Sequence, residues 1–130
     1  EITEGAVMAD VDAAWTMLPQ AKALGVYLAL DDFGTGFSSL SFLRQFRLDI
    51  VKIDKSFVDG LGSDSSDLSI VDAIINLADS LALGVIAEGV ETKAQRECLM
   101  AIGVKAGQGH LFMPSHSIEE IGSALNIATP

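Results

Sequence analysis

With one cysteine among its 130 residues, Cys98, the chain has no intrachain disulfide framework, and a reducing compartment suits it. Its helical surroundings read Cys98 as a packed thiol rather than a nucleophile. Basic residues are also scarce: 8 Lys plus Arg stand against 18 Asp plus Glu, a formal charge of −10. No basic stripe is left to follow a nucleic-acid backbone, so a nucleic-acid polymer is not an expected partner, and any anionic substrate must be met locally, most simply by metal ions. Cysteine and histidine at zinc spacing are missing, which turns attention to hard, oxygen-ligated cations. No basic-plus-apolar leader opens the sequence, and no uninterrupted apolar run is long enough to span a bilayer, so no membrane insertion by this segment is expected. The expected location is cytoplasmic, including as the cytoplasmic part of a membrane-bound parent.

What is present is organised around residues 28–40, where the apolar run Leu28-Ala29-Leu30 ends in Asp31-Asp32 and passes at once into Phe33-Gly34-Thr35-Gly36-Phe37-Ser38-Ser39-Leu40. Two adjacent carboxylates at the tip of a buried strand repel each other and lose hydration, and they persist most easily beside a divalent cation. Asp-Asp before a glycine turn also serves as Asx-turn and capping chemistry with no ligand, and the dipeptide alone leaves both readings open. Lys52, Glu88 and Gln108 stand at the ends of further strand-like apolar segments, and polar residues gathered at successive strand ends are how β/α barrels build active sites.

Along the chain, apolar spacing predicts a helix over about 5–24, kinked or divided at Pro19, and a strand over 26–30. A helix over 38–46 and a strand over 49–53 follow. The pleat puts Lys52 on the lumen side if Val51 and Ile53 face the helices, with a solvated edge lysine as the alternative. Residues 59–67 read as a loop. The next helix begins at Asp67 or Ser69, with Ile70, Ala73, Ile74, Leu77, Ala78 and Leu81 as its apolar face. A strand over 85–87, a helix over 92–101, a weak strand over 104–108 and a closing helix over 117–127 complete the pattern. Ala-Leu-Gly-Val at 23–26 and 82–85, and Ala-Ile-Gly-Val at 101–104, mark the same helix-to-strand junction three times, with glycine expected to take the left-handed position. Trp15 reads as core or interface.

The segments LDDFGTGFSSL, VKIDKSFV, VIAEGVET and QGHLF, in that order and preceded by EITE, resemble the EAL family of cyclic-di-GMP phosphodiesterases. The resemblance implies an α/β fold, the C-terminal portion of a TIM-like (β/α)8 barrel, with residues 1–130 forming a partial EAL domain. The Glu-Ala-Leu segment and the Asn-bearing strand of the family are absent from these residues. A complete barrel takes about 250 residues, so this one is either a piece or is completed by another chain. A homodimer or the missing barrel half is the expected protein partner.

By the same resemblance the cofactor is Mg²⁺ or Mn²⁺, two ions in a complete domain. Glu1 and Asp31 would bind one ion, Asp31 would bridge to a second held with Asp32, and Glu88 would act through water at the metal. Lys52 would sit by the attacking water and the scissile phosphate, with Glu91 and Gln108 in support and Glu4 bracing the loop that begins at Phe33. That loop, Phe33, Gly34, Thr35, Gly36, Phe37, Ser38 and Ser39, would couple the metal ligands to a neighbouring subunit through an exposed Phe33 or Phe37, unless both rings pack locally. The implied activity is hydrolysis of cyclic-di-GMP to pGpG by the complete domain, the isolated chain being inactive. The alternative is an inactive cyclic-di-GMP-binding sensor. His110 and His116 read as non-catalytic, since neither has a carboxylate partner at a recognisable spacing. His110 stands where the family usually has Tyr, a difference that bears on substrate contacts rather than on metal positions.

Overall fold

The computed structural model describes residues 1–35, 40–62 and 65–124. Five strands form one sheet: β1 (Ile2–Thr3), β2 (Ala29–Phe33), β3 (Ile50–Ile53), β4 (Gly84–Ala87) and β5 (Ala106–Gly107). All four strand pairs are parallel and the spatial order is the sequence order. A doubly wound sheet reverses its strand order at a switch point; unbroken sequential order with helical crossovers is the arc of a β/α barrel. The crossovers are α1 (Glu4–Ala9) and α2 (Val11–Ala23), α3 (Leu40–Gln45), α4 (Lys55–Asp59) and α5 (Ser65–Ser80), and α6 (Lys93–Ala101), with α7 (Ile118–Ala124) after the last strand.

Side-chain caps set several of these boundaries. Thr3 accepts from Ala6 N, Asp10 from Ala13 N, and Thr92 forms a capping box with Gln95. The first helical stretch divides at Asp10, not at Pro19 as the sequence predicts. Asp10 leaves the helical region and caps α2, whereas Pro19 costs α2 one hydrogen bond on its water-facing side, where the freed carbonyl of Trp15 can be solvated.

The sequence reading assigns no element between the strand ending at 53 and the loop starting at 59, where α4 forms; Asp54 nucleates it by accepting from Ser56 N and Ser56 Oγ, and its Val58 is fully buried. In α5 the buried face is Val71, Ile74, Ile75 and Ala78, while Ile70 and Ala73 face water. Seven apolar residues between 70 and 78 make a stripe wider than the contact surface, so periodicity alone leaves its centre undefined. β2 starts three residues later than predicted, because Val26 and Tyr27 are exposed and only from Ala29 does the chain pair with β3.

The core lies between sheet and helices, with Leu30, Val51, Ile53, Val58, Val71, Ala87 and Val90 almost wholly buried. Cys98 packs against its margin, and Trp15 lies against Phe46 with ring centroids 4.5 Å apart. Among the described residues β1 and β5 each pair on one side only. Large apolar side chains lie exposed on the helices and loops of the first crossover, including Leu24 (84%) and Tyr27 (76%), in keeping with a barrel arc that needs covering.

Candidate active site

The two aspartates of β2 would point to opposite faces in a regular strand. They do not, because the strand carries an extra residue: Leu30 registers with Val51 and Phe33 with Ile53, three steps against two. Asp32 absorbs the irregularity in the left-handed region, φ 55°. Aspartate is among the few non-glycine residues that tolerate this conformation, at a cost on the order of 1 kcal/mol. Thr35 steadies the turn by donating through both N–H and Oγ1–H to the Asp32 carbonyl. Asp31, Asp32 and Glu88 each then offer a carboxylate oxygen, all within 4.8 Å of one another. Gly34 follows at φ 99°, and a Cβ there would meet the Phe57 ring at 2.8 Å, so the turn demands glycine.

Lys52 rises from β3 into this cluster and is 3% exposed, a buried lysine rather than a solvated edge residue. Its Nζ lies 2.5 Å from Glu88 Oε1, 3.0 Å from Asp31 Oδ1 and 3.0 Å from Glu1 Oε1. Burial works against the ammonium, but the hydrogen bonds to Glu88, Glu1 and Asp31 outweigh it and hold the group well above its ordinary value. Lys52 is therefore a fixed cation. Three carboxylates, Glu1, Asp31 and Glu88, meet this single ammonium and Asp32 stands beside Asp31 and Glu88, leaving a formal charge of −3 among the described side chains of the cluster.

Glu88 follows directly on β4. Its backbone N–H donates to Ile53 O, and its Oε1 accepts from Gln108 Nε2 at 2.7 Å, so β3 and β5 fix it from opposite sides. Glu4 lines a cavity of about 450 Å³ with Thr3, Gly5, Met8, Asp31, Asp32 and Thr35, beside the loop it was predicted to brace. Glu91 stands apart from the cluster and pairs with Lys55 at 2.5 Å, a partner that sequence reasoning missed. The available signal was Asp54-Lys55-Ser56, a capping aspartate that starts a helix right after β3. Phe33 is buried and packs locally instead of facing another subunit. Gly36, Phe37, Ser38 and Ser39 lie outside the described residues. His116 does have a carboxylate partner, Glu120 Oε2 at 3.3 Å one helical turn on, but at the start of α7, in a different part of the chain from the strand tips. The hydrogen bond from Lys55 holds the Glu91 carboxyl below its ordinary value, with His110 a minor contributor.

A family model described as the EAL domain matches residues 1–115. The bifunctional diguanylate cyclase/cyclic di-GMP phosphodiesterase MucR of Pseudomonas aeruginosa is 44% identical over 121 residues, which are 91% of this chain and 18% of that protein. The EAL domain of Mycobacterium smegmatis DcpA is structurally similar with a TM-score of 0.88 at 40% identity, covering 99% of this chain and 58% of that one. BlrP1 of Klebsiella pneumoniae, solved with manganese and cyclic-di-GMP, gives a TM-score of 0.77 at 34% identity, covering 84% of this chain and 28% of that one. The chain thus spans 58% or less of the length of each of these relatives. With the family model matched over most of its length and the barrel arc in place, the chain belongs to the EAL domain family.

Proposed function

We propose that residues 1–130 are the C-terminal portion of an EAL barrel whose complete, cytoplasmic domain hydrolyses cyclic-di-GMP to pGpG with two Mg²⁺ or Mn²⁺ ions. The observation that carries this reading is the convergence of Asp31, Asp32 and Glu88 around buried Lys52 at the tips of parallel strands, the end where β/α barrels place their chemistry.

The residues fit the cation. The donors are all carboxylate oxygens, the ligands hard divalent ions prefer, and a formal −3 surplus remains after Lys52 is counted. Asp31, Asp32 and Glu1 would hold metal, with Asp31 between the two positions. When bound, two such ions supply an activated water and neutralise charge on the attacked phosphoryl group. Lys52, locked in its charged form, places a further positive charge where the phosphoryl oxygens gain negative charge. Glu88, held between Lys52 and Gln108, orients the attacking water. Opening the ring to pGpG breaks one P–O3′ bond as the water oxygen bonds phosphorus, and the departing 3′-oxygen takes a proton.

MucR and BlrP1 support the substrate, since the name of the first and the bound ligand of the second are cyclic-di-GMP chemistry. The test is chromatography of nucleotide products from the complete domain. Conversion of cyclic-di-GMP to pGpG with Mg²⁺ or Mn²⁺, abolished by chelator, is the expected result; turnover in excess chelator, or none with either metal, contradicts it.

A further inference from the structure

The turn that carries Glu88 out of β4 is gripped by a second lysine. Lys55, the first residue of α4, reaches across the strand tips to Glu91 Oε1, Nζ to oxygen 2.5 Å. Between these ends its stem lies over Gly89, where an added Cβ would come within 2.7 Å of Lys55 Cβ and Cδ. Gly89 is in the left-handed region at φ 66° and is where the backbone swings from Glu88 toward Glu91. The opposite flank is tied down by Val90 N–H donating to Gln108 O at 3.0 Å, and Gln95 Oε1 accepts from the N–H groups of Glu91 and Thr92. On the side that faces β3, Glu88 N–H donates to Ile53 O, and beyond that bond the stem of Lys55 closes over the turn.

We propose that Lys55 is a positioning residue for Glu88: its stem and its ion pair with Glu91 clamp the Gly89 turn and so fix the carboxylate against Lys52. This rests on the reading of Glu88 as a residue of a phosphodiesterase site. Lys55 and Glu91 are 49% and 42% exposed, and exposed ion pairs add little to global stability. The clamp therefore acts on placement, and a displacement of about 1 Å at a reacting group costs about a hundredfold in rate. The backbone of Lys55 is itself held, since Asp54 caps α4 directly before it.

Four variants of the complete domain, Lys55→Ala, Lys55→Met, Lys55→Arg and Glu91→Gln, separate placement from folding. Lys55→Ala should lower kcat about 10- to 100-fold with KM changed less than about twofold, and shift Tm by no more than ~2 °C. Lys55→Arg should restore most of the rate. Lys55→Met and Glu91→Gln should each lower kcat, and their combination no further than the larger single effect. Independently of turnover, Val90 amide exchange measured by NMR on the complete domain should accelerate about tenfold in Lys55→Ala, because the bond to Gln108 O opens with the turn. If the unsubstituted domain has no activity, the phosphodiesterase reading fails while the exchange rate still decides the clamp. Unchanged Val90 exchange, unchanged kcat, or a rate loss that arginine does not repair overturns it.

Discussion

Lys52 Nζ lies 2.5 Å from Glu88 Oε1, and the two side chains come from neighbouring parallel strands. Lys52 registers with Ile86, so Glu88 stands two residues further on, on the same side of the pleat, and the length of the lysine closes the diagonal. Glu1 and Asp31, each at 3.0 Å, complete three acceptors for the three ammonium protons. The sheet register is thus what assembles the site.

Lys52→Met removes this cation and leaves three carboxylates facing one another. At pH 7 chemical denaturation should show a loss of about 2 kcal/mol, less than for a fully buried pair because the carboxylates keep some water. Since the hydrogen bonds raise the folded-state pKa above its ordinary value of 10.5, the contribution of Lys52 is complete below that pH and is lost as pH rises through the folded value. The stability difference between the two proteins should stay flat from about pH 7 to 10 and narrow above. A gap that widens in alkali contradicts the assignment.

At the opposite end of the strands, Asp49 ties β2 to β3 by accepting from Leu28 N–H and Lys22 Nζ, each at 2.8 Å. The Leu28 N–H first, and Lys22 second, hold its carboxyl below the ordinary 3.8. Its stabilisation is therefore present above that pH and is lost as pH falls through the lower folded value. Asp49→Asn should cost about 1.5 kcal/mol at neutral pH, with the difference disappearing in acid titrations below the ordinary value.

Ala82 occupies the left-handed region at φ 56°, whereas the equivalent turns after α2 and α6 put Gly25 (φ 81°) and Gly103 (φ 93°) there. α5 ends two residues earlier relative to its Ala-Leu-Gly-Val sequence, so Gly84 is spent on the start of β4. Ala82→Gly should raise stability by about 0.5–1 kcal/mol, the relief of strain exceeding the extra entropy of a glycine in the unfolded chain. An unchanged or lowered denaturation midpoint would count against the strain.

Much of this was legible in the sequence because strand ends announce themselves: an apolar run stopped by Asp31, Lys52, Glu88 or Gln108 gave each strand its direction and placed those residues at one end of a parallel sheet. The bulge was not legible, since whether Asp31 and Asp32 share a face depends on which residues of β3 they meet. Lys55 escaped notice because a charged residue after a strand reads as solvated, and its partner Glu91 is 36 residues away. The His116–Glu120 pair, by contrast, lay open at helical spacing of four. Pro19 misled because its cost falls on an exposed carbonyl, while Asp10 offered a cap.

The bridging role of Asp31 is the most exposed part of the metal-site reading, and kcat of Asp31→Asn in the complete domain at saturating Mg²⁺ or Mn²⁺ tests it most directly. On the proposed arrangement, a neutral amide would remove charge shared between the two ions, and no single neighbour would replace it. A fall of several orders of magnitude in kcat is expected, with Cys98→Ser and His116→Ala close to the unsubstituted rate; near-normal turnover of Asp31→Asn at saturating metal would contradict it.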